Sequence, residues 1–216
     1  FNPYDFIDLG KYAIKKVKES VIVEMKEGIK YLFSTEGTFF AAKILFSLFS
    51  ILGSLYIVFI VFIQKTFSSK TLDLGYLAVA GGVGLFLGSL IYGRVAKAFF
   101  LKRTINISLM FSSIYLMFFV TFLKLYPFRF FAIFSSLLLG LLSSPIIIAV
   151  NSLIHQESKD SFWGRVFSSL EVVVHFAFLL FMFISSYLAE KFGPFTVIVS
   201  VGIIVFLFSL FNFFKR

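Results

Sequence analysis

Hydrophobic residues fall in six long blocks that are nearly free of charge: 44–63, 74–93, 104–123, 130–154, 166–189 and 192–214. An α-helix rises about 1.5 Å per residue, so about 20 apolar residues cross the roughly 30 Å hydrocarbon core of a bilayer. Helices satisfy their own backbone hydrogen bonds in lipid, which makes them the natural state of such blocks. The pattern predicts an all-α integral membrane protein whose six transmembrane helices form a bundle over residues 41–216.

Residues 1–40 have a different pattern. Val17, Val21, Ile22, Met25, Ile29, Leu32 and Phe33 recur at helical spacing, with Lys18, Glu19, Glu24, Lys26, Glu27 and Lys30 opposite them. That spacing predicts one amphipathic helix. It is too polar to cross and suits a cytoplasmic connector lying on the membrane surface or under the bundle. Ser34, Thr35, Glu36, Gly37 and Thr38 are expected to break the pattern before the first span.

Composition narrows the chemistry. The chain is 59% hydrophobic and 14% charged, with 34 Phe, against roughly 25% charged residues in a soluble domain. It has no Cys, and its two His, His155 and His175, offer no metal cluster. No metal and no cofactor is expected. The sequence has no phosphate-binding glycine loop followed by Lys and Ser/Thr, no H-E-x-x-H and no plausible catalytic triad. It does not read as an enzyme, and an ion gradient is a better energy source for it than ATP.

The net charge of +9 reads as an orientation signal rather than a nucleic-acid surface, because cytoplasmic loops are enriched in Lys and Arg. Six spans put both ends on one side. Lys43, Arg94, Lys97, Lys102, Arg103, Lys159, Arg165, Lys215 and Arg216 share that side with the lysines of residues 1–40. Lys65, Lys70, Lys124, Arg129 and Lys191 lie on the other. The bias predicts a multi-pass protein of the cell's inner membrane with both termini cytoplasmic. Trp163, Tyr126 and Tyr187 fall at span ends, as interfacial anchors do.

Within the spans, two features stand out. Ala80, Gly84 and Gly88 repeat every four residues in the second, and Ser136, Gly140, Ser143 and Ser144 precede Pro145 in the fourth. Small residues at this spacing let helix backbones approach closely in lipid, and a mid-helix Pro removes one hydrogen bond and kinks the helix. The fifth span carries Glu171 and His175, four residues apart and so on one helical face. Counted from Val166, Glu171 lies about 8 Å and His175 about 14 Å into the span. An intramembrane ionisable pair marks a proton or substrate pathway, and imidazole changes charge near neutral pH. The structural reading is a mutually satisfied pair, or Glu171 reaching back toward Arg165.

After Gly88 the chain reads Ser89-Leu90-Ile91-Tyr92-Gly93-Arg94-Val95-Ala96-Lys97-Ala98-Phe99-Phe100-Leu101-Lys102-Arg103. Gly93, Arg94 and the basic pair Lys102 and Arg103 resemble the cytoplasmic loop signature of the major facilitator superfamily, close to G-R-L-A-D-R-F-G-R-K-R. Lys97 stands where that pattern has an acid and Phe100 where it has a glycine. The stretches 149–156, 163–168 and 188–193 resemble the tenth-to-eleventh helix region of the branch containing drug, macrolide and siderophore exporters. Residues 24–32 resemble that branch's central cytoplasmic loop.

The resemblance implies one half of a facilitator bundle: six helices in two inverted three-helix repeats, with substrate bound between two such halves. It implies a secondary active transporter, an antiporter effluxing a small amphiphilic compound, represented here by its C-terminal half. The expected partners are the lipid bilayer, a small-molecule substrate, and an N-terminal six-helix half encoded upstream or as a separate subunit. A fragment of a longer chain is the preferred form, because the sequence opens on Phe1 inside what resembles the central loop. The alternative is a non-transporting scaffold or degenerate half-transporter.

Overall fold

In a computed structural model, residues 36–68, 71–95, 100–157 and 163–214 are described. They form six helices: α1 (Glu36–Phe67), α2 (Thr71–Val95), α3 (Leu101–Leu125), α4 (Arg129–Glu157), α5 (Trp163–Phe192) and α6 (Pro194–Phe214). No strand occurs among the described residues. Each helix contains an apolar segment of membrane length, from the 21 residues of Pro194–Phe214 to the 26 of Ala42–Phe67. The amphipathic connector expected before residue 35 lies outside the described residues. Glu36, Gly37 and Thr38, expected as part of a break, are instead the first turn of α1. A first turn tolerates them because its N–H groups have no intrahelical partner and attract negative charge.

The turns at the ends of α3 and α5 have visible causes. Tyr126 ends α3 in extended conformation, and its N–H still bonds the Phe122 carbonyl at 2.8 Å. Pro127 follows, and proline restricts the residue before it to such a conformation. Between α5 and α6 only Gly193 intervenes, at φ 84°. Glycine takes this left-handed position without a Cβ clash, and Pro194 at the first helical position supplies the φ that restarts the helix. Gly193 donates its N–H to Ala189 at 3.0 Å and accepts from Val197 at 3.4 Å, so one residue serves both helix ends.

The packing repeats itself. The most extensive seams are α2 on α4, α1 on α5, and α3 on α6. Exchanging α1 with α4, α2 with α5 and α3 with α6 turns the first seam into the second and leaves the third unchanged. The fold is therefore two three-helix repeats, and three crossings per repeat make the second enter the membrane from the opposite side. Two buried clusters stack along the bundle. One joins Val58, Phe62, Phe119, Leu123, Ala132 and Ile198; the other joins Ile44, Ile105, Leu109, Ala149, Val150 and Val205. α5 adds no buried residue to either, although its half-buried Ala189 packs against the first, and its buried Leu170 packs against Ala42 and Leu45 of α1.

Candidate functional site

The α2–α4 seam is built from missing side chains. A Cβ on Gly84 would run into the Leu137 carbonyl of α4, and one on Gly88 would stand 2.7 Å from the Leu141 carbonyl oxygen. From the other side, a Cβ on Gly140 would meet the Gly81 carbonyl and lie 2.9 Å from the Leu85 nitrogen. Ala80 is buried beside them. Ser136 donates from α4 to the Leu77 carbonyl of α2 at 2.7 Å. In lipid, where burial drives little association, close packing and such bonds hold helices together. α4 continues through Pro145, which cannot donate to the Leu141 carbonyl four residues back. The Ser144 hydroxyl donates to that carbonyl instead, at 3.0 Å.

The α1–α5 seam carries the ionisable residues. Its close approach is at Gly53, where a Cβ would meet the Phe178 carbonyl and lie 2.9 Å from the Phe178 Cα. Aromatic rings flank it: Phe49 against His175 at 5.7 Å, Tyr56 against Phe178 at 5.6 Å, and Phe46 edge-on to Phe181 at 6.4 Å.

Glu171 and His175 are both exposed on α5. The structure joins them through the main chain: His175 Nδ1 lies 2.7 Å from the Glu171 backbone carbonyl oxygen. A carbonyl only accepts, so Nδ1 carries the proton and Nε2 is left to take or give one. Among the described residues the Glu171 carboxylate has no ion-pair partner within 4.0 Å. The apolar segment of α5 includes Leu170–Phe192. Within it, His175 lies one helical turn, about 6 Å, beyond Glu171.

The signature loop is partly described. Gly93, Arg94, Lys102 and Arg103 are all exposed at the ends of α2 and α3. Nothing lies within 4 Å of where a Gly93 Cβ would be. The Arg103 guanidinium stacks over Phe213 of α6 at 5.6 Å. Lys97 lies outside the described residues. At the other end of the bundle, Arg129 of α4 pairs with Asp73 in the first turn of α2 at 3.4 Å.

One feature was not anticipated from the sequence. A groove of about 650 Å³ runs between α5 and α6 over a floor from α1 that includes Ser47, Ser50 and Ser54. The signal for it is the serine spacing on one face of α1. The residues that complete it come from two distant helices. No group of three or more His, Asp or Glu side chains among the described residues could hold a metal ion.

A family model described as Major Facilitator Superfamily matches residues 43–216, which takes in all six helices from the first full turns of α1 onward. No curated protein and no solved structure gives a significant match to the chain.

Proposed function

The chain belongs to the major facilitator superfamily, a family of membrane transporters, and from that premise we propose that it is the C-terminal half of a secondary active transporter. The supporting observation is the family match over six helices that form one pair of inverted repeats. A facilitator binds its substrate between two such pairs, so the partner is an N-terminal six-helix half, in the same polypeptide or as a second subunit. The loop at Gly93–Arg94 and the stretches around residues 149–193 favour the branch that exports drugs, macrolides and siderophores. The cargo is then a small amphiphilic compound, expelled against an ion gradient. His175 moves the coupling proton at Nε2, with Glu171, one turn away on the same face, relaying it. The Lys/Arg asymmetry favours the cell membrane with both ends cytoplasmic.

The test is flux in vesicles carrying an imposed pH gradient, with ethidium as the amphiphilic probe. The chain alone should give no gradient-driven movement, because alternating access needs one half to rock against the other. Joined to its N-terminal half it should move ethidium. Glu171→Gln and His175→Ala should each remove most of the gradient-driven component at normal expression. Coupled flux by the chain alone as a monomer overturns the half-transporter reading, and full pH-dependent flux in both variants removes the proton role.

Orientation has its own check. The chain lacks Cys, so Ser69→Cys and Ser158→Cys each introduce a unique thiol. Impermeant maleimide added to intact cells should label the first and not the second. The reverse result inverts the topology.

A further inference from the structure

The groove over the α1 serines is shaped for hydrocarbon. Its walls are Ile184 and Leu188 of α5 and Ile204 and Phe208 of α6, and its floor holds Ser50 and Ser54. Small floor residues leave the volume open. Three of the six hydroxyls that line it are bonded within their own helices: Ser47 donates to the Lys43 carbonyl at 2.8 Å, Ser50 to Phe46 at 2.7 Å, and Ser185 to Met182 at 3.1 Å. Ser54, Thr196 and Ser200 lie among Ile, Leu, Val and Phe side chains, and so largely apolar a lining suits an apolar chain better than a polar solute.

Its length and its charged end match a membrane lipid. The α6 wall from Thr196 to Phe208 is about 18 Å long, close to the roughly 15 Å depth of one leaflet. It starts at the tight Gly193 turn, where α5 and α6 are held together. At that end stand two ammonium groups: Lys191, next to the lining residue Phe192, lies 4.6 Å over the Tyr187 ring, and Lys124 lies 4.0 Å over the ring of Phe195, next to the lining residue Thr196. Stacking on a ring fixes an ammonium without neutralising it. Lys65 ends α1 on the same side. Among the described residues at this end, Lys65, Lys124, Arg129 and Lys191 face only Asp73 and Glu190 as counter-charges.

The geometry points to a lipid site: one acyl chain of an anionic phospholipid, from the leaflet at the α5–α6 turn, lies in the groove with its headgroup at Lys124 and Lys191. The proposal does not depend on whether the chain transports.

The experiment uses the chain in phosphatidylcholine vesicles containing a little phosphatidylglycerol that carries a photoactivatable diazirine at the end of one acyl chain. Crosslinks mapped by mass spectrometry should concentrate on residues 196–208, several-fold above Val79 and Phe86 on the exposed face of α2. Unlabelled phosphatidylglycerol should compete better than phosphatidylcholine, and that preference should vanish in Lys124→Glu/Lys191→Glu. Ser200→Trp, which fills the groove from its exposed rim, should abolish the excess while leaving α2 labelling and the melting temperature unchanged. Should Ser200→Trp lower the melting temperature, Ser54→Leu fills the same space from the floor. Even labelling of α2 and α6 means annular lipid only. No labelling of α6 means a protein segment covers the groove. Either result overturns the proposal, as does equal competition by the two lipids.

Discussion

The seams α2–α4 and α1–α5 occupy equivalent places in the two repeats, yet they are made of different material. Along α2–α4 the close approaches follow one another at Gly81, Gly84 and Gly88, with Gly140 answering from α4 and Ser136 bonding across. Along α1–α5 there is one such approach, at Gly53, and the rest of the contact is aromatic rings at 5.6 to 6.4 Å. A run of backbone contacts has one register, because shifting either helix drives a carbonyl into a Cα. Rings can reorient around a single pivot. Glu171, His175 and the groove all border the second seam, while the first holds its helices in one relation. Symmetry of fold thus coexists with a division of labour between a fixed seam and an adjustable one.

The largest effect should come from closing the fixed seam. Gly84→Ala places a methyl against the Leu137 carbonyl, and overpacking of this kind costs about 1–3 kcal/mol. The helices cannot part at Gly84 without losing the contacts at Gly81 and Gly88. Gly53→Ala meets the Phe178 carbonyl but can be relieved by ring motion, so it should cost less. Gly82→Ala has nothing within 4 Å and should be neutral or gain up to about 1 kcal/mol from helix propensity. Melting temperatures of the three in detergent test the ranking. A larger loss at Gly53 than at Gly84 breaks the distinction between the seams.

How far the sequence discloses these features follows from their range. Six spans are visible because lipid demands long apolar runs, and the Gly84–Gly88 packing is visible because one helix face carries its own spacing. The start of α1 is hidden, since Glu36–Gly37–Thr38 suits a break and a first turn equally well. Gly53 is silent in sequence because its partner, Phe178, is more than a hundred residues away. The four-residue spacing of Glu171 and His175 does predict a contact, but helical geometry brings the imidazole to the carbonyl of residue 171 and not to its carboxylate. The groove needs three helices at once, so the serines of α1 alone could not announce it.

A smaller effect distinguishes hydroxyls that cross a seam from those that do not. Ser136→Ala removes the bond to the Leu77 carbonyl, and interhelical bonds in membranes average about 0.6 kcal/mol. Ser185→Ala removes only a bond within α5, to Met182, and should fall near zero. Both substitutions delete the same oxygen, so the difference isolates the seam. Equal losses, measured by unfolding in mixed micelles, would show that the α2–α4 bond contributes nothing beyond local packing.

The smallest effect belongs to the ion pair at one end of the fixed seam. Arg129 and Asp73 join the first turns of α4 and α2 at 3.4 Å, with the Arg129 side chain 65% exposed and that of Asp73 13% exposed. Pairs of this kind are worth about 0–1 kcal/mol, because water screens them and ordering the long side chain costs entropy. Asp73 also sits in a helix first turn, where a negative charge gains from the helix dipole whether or not Arg129 is present. Asp73→Asn should therefore cost more than Arg129→Gln, and the double variant should cost less than the two single losses combined. High salt should shrink both effects. If the pair acts instead as the main lock on α2–α4, Arg129→Gln will rival Gly84→Ala in lowering the melting temperature, and the glycine seam will lose its claim to hold these helices in register.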